Sequence, residues 1–315
     1  MHDDPPTQEN TPVLPIPISM RFNILLAVHV PSFICYVVVI VYIFTHKTLR
    51  SAPNNYTLLF LLILQFFGNA IDIPLLLNFF KQGRVLFENA VFCYIWIFLD
   101  HSIWSICTML VAWASFERHI LIFHDRLLRK KWKNICLHYA PPFIIIIYYI
   151  CYFLYTNIFY PCEHSFDFQS PLCGHPCYVF DKILMWWEML VHFILMSVCI
   201  TIFSVSLLIR VFASKRRLQQ SLSWRKHSRM AFQLISISYL CLVTLLPFSI
   251  VNILFFAGFP GLPLEAIDYC IFITYFNSMC LPFVYLTSIP EIWILCKRAI
   301  RRATPRQMAP MTLAN

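Results

Sequence analysis

Seven unbroken apolar runs, each long enough to cross a bilayer, constrain this chain more than any other feature. They fall at about 22–45, 56–80, 91–116, 134–158, 183–212, 230–257 and 264–289. A spanning helix needs about 20 mostly apolar residues. Strands of a membrane barrel would be about ten residues long with strict alternation, and these runs are longer and unbroken. Composition agrees. The 315 residues are 59% hydrophobic and 12% charged, with 30 Phe against five Gly, whereas a soluble domain carries about 25% charged residues. One soluble core could not hide that much apolar surface. The sequence therefore predicts an all-α integral membrane protein, a seven-transmembrane helix bundle.

Basic residues set the orientation, because Lys and Arg accumulate in short loops on the cytoplasmic side. All of the 24 except Arg21, Lys81, Arg84 and Lys182 lie in alternate loops near 46–55, 117–133 and 210–229 or in the C-terminal tail. Those segments are expected inside and the N-terminus outside, in the plasma membrane. The expected boundaries are an extracellular tail at 1–21, the bundle at 22–289, and a cytoplasmic amphipathic helix and tail at 290–315. Lys215-Arg216-Arg217 and the group Lys297, Arg298, Arg301 and Arg302 read as topology determinants on lipid headgroups. Membrane lipids are thus expected partners and nucleic acid is not, despite the net charge of +9. The opening segment MHDDPPTQENTPVLPIPISM is acidic and Pro-rich. It has no basic n-region and no long apolar h-region, so a cleaved signal peptide is not expected.

Most of the thirteen Cys sit inside spans, where a thiol acts as a small apolar group. Cys93, Cys162, Cys173 and Cys177 fall on the outer side instead. Four thiols on an oxidising face imply two disulfides, and three pairings are open. A zinc site drawn from Cys162, His164, Cys173, His175 and Cys177 is the competing reading, which the secretory route disfavours. No cofactor and no metal is expected. The sequence contains no His-Glu-x-x-His, Gly-x-Ser-x-Gly or phosphate-loop pattern, so it does not read as an enzyme. A transporter or channel could use Asp72, Asp100 and Glu188 as an ion path. The odd number of spans and the lack of an inverted repeat speak against that alternative.

At the inner end of the third span stands Glu117-Arg118-His119, where adjacent opposite charges lower the cost of membrane depth. Cys93 precedes Glu117 by 24 residues, about 36 Å of helix at 1.5 Å per residue, which is one membrane thickness. A bridged outer Cys and an inner acid–Arg pair at this spacing resemble the rhodopsin-like (class A) G-protein-coupled receptors. Their third helix carries Cys, then Asp/Glu-Arg-Tyr 24 positions later. Leu49-Arg50 and Pro53-Asn54-Asn55-Tyr56 with Leu58 and Leu61 look like the family's first inner loop and second-helix start. Pro74, Pro247 and Pro282-Phe283-Val284-Tyr285 are similar to its helix-bending prolines and its Asn-Pro-x-x-Tyr. Glu291–Arg302 looks like its short amphipathic helix, with Cys296 open to palmitoylation.

The departures matter too. Cys35-Tyr36 stands where the family has Gly-Asn. Gln65 replaces the sodium-holding Asp, Leu245 the sixth-helix Trp, and Leu281 the Asn before Pro282. The fourth helix lacks its usual Trp. The resemblance implies a cell-surface receptor coupling an extracellular small ligand or peptide to a heterotrimeric G protein. Asp100 falls where receptors for amines, and some for peptides, place the Asp that pairs with a ligand ammonium. Tyr275 falls where amine receptors place a neighbouring Tyr. Asp72, His101, Trp104, Phe248 and Asn252 should face the same outer cavity. Without a Lys in the seventh span, a retinal Schiff base is excluded. The fifth span, Met185-Trp186-Trp187-Glu188, lacks the serines that catechol amines use, so Glu188 and the long outer loop suit a basic peptide better. Glu117, Arg118, His119, Pro247, Pro282 and Tyr285 are the expected switch and coupling residues. Among the three pairings, Cys93–Cys173 is the first expectation.

Overall fold

A computed structural model describes residues 16–47, 56–123, 130–217, 222–259 and 264–288. The first inner-loop motif Leu49–Asn55, His124, the amphipathic segment Glu291–Arg302 and Cys296 lie outside them, as do the side chains of Lys215-Arg216-Arg217. Among the described residues, seven helices are long and apolar enough to span a membrane. We label them α1 (Ile18–Thr45), α2 (Tyr56–Gln82), α3 (Ala90–Phe123), α4, α5, α6 (Leu222–Phe256) and α7 (Leu264–Ser288). α4 runs without a break from Lys131–Asn134 through a π-turn at Ile135–Tyr139 and Ala140–Leu154 to a second π-turn at Tyr155–Phe159. α5 joins Lys182–Trp187, a π-helical stretch Glu188–Ile194 and Leu195–Arg217.

Several boundaries differ from the expectation, the largest at α6, which begins at Leu222 rather than at about 230. α1 begins at Ile18 directly after Pro17, so residues 18–21 belong to the bundle rather than to the tail. Proline pre-sets φ for an entering chain, which favours a start there. α3 continues past 116 to Phe123, which places Glu117-Arg118-His119 inside a helix.

α3 is the central post. It packs against α2, α4, α5 and α6, while α1 closes on α2 and α7, and α6 on α7. Gly68 lets α2 approach α3 closely, since a Cβ there would meet Ile103 Cγ2 at 3.2 Å. Large apolar side chains such as Ile34, Ile144 and Ile202 remain exposed on the outer surface. A lipid solvent reverses the usual cost of such exposure.

Proline inside a helix removes a donor and frees the carbonyl four residues earlier. In α7 Pro282 frees the carbonyl of Ser278, and the Tyr36 hydroxyl donates to that oxygen at 2.7 Å. Tyr36 thus supplies a donor to that carbonyl from the neighbouring helix.

The outer loop between α4 and α5 carries two short 3₁₀ turns, Pro171–Cys173 and Cys177–Phe180. Leu172 and Cys173 have φ near +56° and Gly174 has φ +87°. These left-handed residues reverse the loop so that it folds back toward the bundle. Disulfides join Cys93 to Cys173 and Cys162 to Cys177. The first ties the loop to the outer end of α3. The second closes the loop on itself, and Cys162 and Cys177 with His164 form the one compact Cys/His group among the described residues. Asp181 caps α5, its Oδ1 accepting the amides of Ile183 at 2.9 Å and Leu184 at 3.1 Å. The Leu184 amide is the main reason its carboxyl sits below the ordinary carboxylate range.

Candidate functional site

The helices leave a cavity of about 510 Å³ in the outer half of the bundle, within the range of small-ligand sites. Its walls come from α1, α2, α3, α5, α6 and α7, and its roof from the outer loop, from Gln169 through His175 to Val179. The staple between Cys93 and Cys173 holds that roof in place. All six expected ligand-facing residues, Asp72, Asp100, His101, Trp104, Phe248 and Tyr275, line this one cavity, and Asn252 does also.

Its polar side is built around carboxylates. The Tyr275 hydroxyl points to Asp100 Oδ1 at 3.4 Å, and His101 Nδ1 lies 3.6 Å from Oδ2. The same His101 nitrogen donates to the Ile97 carbonyl at 2.9 Å, the shorter contact and the one that orients the ring. Asp72 sits beside Asp100 and accepts a 2.6 Å hydrogen bond from Trp96 Nε1. Glu188 reaches the cavity from the π-helical part of α5 and lies beside the buried Tyr178. Glu188 opens the π-helical stretch, and Met185 and Met189 line the wall beside it. Opposite the acids is an aromatic floor. Trp104 contacts Phe193 at 5.2 Å and Phe248 at 5.6 Å between ring centres, and Phe193 meets Phe248 at 5.2 Å. Carboxylates beside a cluster of tilted and edge-on rings suit a cation with an apolar body. Arg21, at the mouth, lies over the Tyr269 ring at 4.9 Å.

A second constellation lies at the inner end. Glu117 is 4% exposed and Arg118 2%. Thr57 Oγ1 donates to Glu117 Oε2 at 2.7 Å, and His138 Nδ1 contacts Oε1. His119 Nε2 bonds the Phe203 carbonyl at 2.8 Å, tying α3 to α5. The Tyr285 hydroxyl donates to the Leu58 carbonyl at 2.6 Å, tying α7 to α2. Pro247 sits in α6, with Leu245 beside it in the core.

Sequence reasoning passed over Thr57, Trp96 and His138. His138 left one signal, a lone titratable group in the apolar start of the fourth span. Trp96 left none, because an indole on an apolar face reads as packing.

Comparison with known proteins follows the same lines. Residues 37–285 match the family described as 7 transmembrane receptor (rhodopsin family). The chain is 27% identical over 284 residues to Trace amine-associated receptor 5 of Rattus norvegicus, covering 86% of this chain and 83% of that protein. A 100-residue stretch is 29% identical to Meiotic recombination protein rec24 of Schizosaccharomyces pombe, covering 31% of this chain and 28% of that protein. This shorter match spans too little of either chain to bear on the bundle. Seven spans, an outer staple on the third helix, a buried acid–Arg pair at its inner end and a family match across nearly the whole bundle converge on one assignment: the chain belongs to the rhodopsin family of seven-transmembrane receptors.

Proposed function

We propose that this receptor resides in the plasma membrane and binds a small amine-like cation in the outer cavity, passing the signal to a heterotrimeric G protein. Asp100 carries the reading. It is a carboxylate inside the bundle whose described neighbours are Tyr275, His101 and Asp72, none of them a permanent cation. A charge at bilayer depth is costly and finds its use in a partner, and a ligand ammonium would supply it. The aromatic floor would take the apolar remainder. Likeness to a receptor named for trace amines supports the same class of ligand. The covered roof favours a small molecule over the basic peptide that Glu188 and the loop length suggested.

Signalling would be a population shift between two helix packings. Binding outside favours a form in which α6 bends near Pro247 and opens its inner end, with Arg118, Tyr285 and the basic loops 119–133 and 213–229 facing the G protein. The ligand must favour that form by about 10⁴-fold to carry the population from 1% to 99%.

The test is a screen of amines and basic peptides on cells carrying a promiscuous G protein. Asp100→Asn should weaken the responding amine by roughly tenfold to a hundredfold, the worth of a charge-assisted hydrogen bond, at unchanged surface level. Equal potency in the variant would remove Asp100 from the site. A response to basic peptides alone would replace the amine reading with the peptide one.

A further inference from the structure

Glu117 is held from two other helices, and the contact from α4 has no counterpart in the switch reading above. His138 lies in the π-turn Ile135–Tyr139 at the inner start of α4. Its ring is fully buried, at 0% exposure, between Tyr56 at 5.4 Å and Tyr139 at 4.6 Å. Nδ1 faces Glu117 Oε1, while Nε2 is buried with no partner among the described residues. A ring placed there only to fill space would be better served by an apolar side chain, because a buried nitrogen without a partner destabilises the fold. The histidine leaves one nitrogen unsatisfied and spends the other on Glu117.

We propose that His138 is a positioning residue for the inner switch: with Thr57 it fixes the Glu117 carboxylate and so holds the receptor in its ligand-free packing. The two oxygens of Glu117 are divided between the two helices, Oε2 to Thr57 of α2 and Oε1 to His138 of α4. The carboxylate therefore sits at a junction of α2, α3 and α4. Nδ1 must carry a proton to donate, which both the matching neutral tautomer and the doubly protonated ring provide. Removing that donor leaves the carboxylate held from α2 alone, which loosens it and the residue beside it in sequence, Arg118. The inference rests on the receptor reading only for its signalling readout.

The test uses the full chain in nanodiscs at equal folded amounts: wild type, His138→Ala, His138→Asn, His138→Gln, Glu117→Gln, and the His138→Ala/Glu117→Gln pair. One readout is ligand-free nucleotide exchange on several classes of G protein. The other needs no G protein: a fluorophore on Phe232→Cys at the inner part of α6, with Cys136 and Cys151 replaced by Ser. His138→Ala should raise ligand-free exchange roughly tenfold, as expected for a lost hydrogen bond to a charged group, and shift the label toward the open form. His138→Asn should restore both, since its amide can stand where Nδ1 stands. His138→Gln should not, because its amide reaches the Nε2 position. Glu117→Gln should act like His138→Ala, and the pair should add nothing further. Wild-type values for His138→Ala in both readouts, or equal behaviour of the Asn and Gln variants, or an additive pair, would overturn the proposal. If His138→Ala fails to fold, the Asn and Gln variants decide alone. If the label moves as expected while no G protein responds, the positioning role stands and the coupling reading falls.

Discussion

The two ends of the bundle are held by different chemistry. At the outer end the roof of the cavity is fastened covalently, by Cys93–Cys173 to α3 and by Cys162–Cys177 within the loop. At the inner end the same helix is held without a covalent tie among the described residues, its hydrogen bonds running from Glu117 to Thr57 and His138 and from His119 to the Phe203 carbonyl. A covalent roof stays fastened to α3 when the other helices shift. Hydrogen bonds of modest net worth can be exchanged when the helices shift. In the proposed reading, recognition falls to the covalently tied end and response to the exchangeable one.

The contrast is broken most severely at the outer staple. Cys173→Ser releases a loop of 80 residues, against 15 for Cys177→Ser. Chain-entropy estimates give at most about 4.5 and about 3 kcal/mol. Cys173→Ser should lower surface level and ligand binding together, and Cys177→Ser should do so less. Surface labelling and saturation binding compare the two, and equal losses would show that the roof does not depend on its tie to α3. At the inner end, Thr57→Val keeps shape and removes one donor to Glu117. Ligand-free signalling should rise severalfold while ligand affinity changes by less than about threefold, because one hydrogen bond to a carboxylate is lost far from the cavity. A fall in surface level without a rise in basal signal would reduce Thr57 to packing.

The smallest effect concerns pH. His164 packs against Phe166, ring centres 5.5 Å apart, and Tyr94, 4.9 Å apart, and burial pulls its pKa below the ordinary 6.5. A histidine with a depressed pKa favours the folded loop in its neutral form. That contribution is complete above about pH 6.5 and is lost as pH falls toward the folded value. The melting temperature should therefore drop slightly from pH 7.5 to 5.5, and His164→Phe should flatten that slope. An unchanged slope would place the acid sensitivity elsewhere.

Much of this was legible in the sequence, and for a physical reason. Spans, orientation and the side of each loop follow from one-dimensional patterns of apolar length and basic charge. Helical rise alone placed Cys93 and Glu117 at opposite faces. The cavity residues were reachable because helix ends are anchored by these marks. What remained hidden depends on three dimensions. Cysteine pairing depends on how the loop reverses at Leu172–Gly174. Asp72 of the cavity wall and the buried Trp96 meet across the seam between α2 and α3. His138 turns inward through a π-turn, which has no clear sequence signature. Helix ends also fell several residues away from the expectation, at Ile18, Phe123 and Leu222 among others, because apolar runs mark lipid contact rather than helical hydrogen bonding.

The bond from Tyr36 to the Ser278 carbonyl carries one more consequence. A bend in α7 that borrows its donor from α1 is no longer a private property of that helix. The first helix serves as the jamb on which the seventh is hung. Any swing of the part beyond Pro282 must either drag the jamb along or pull out the pin. Tyr36→Phe should loosen that swing without touching the cavity.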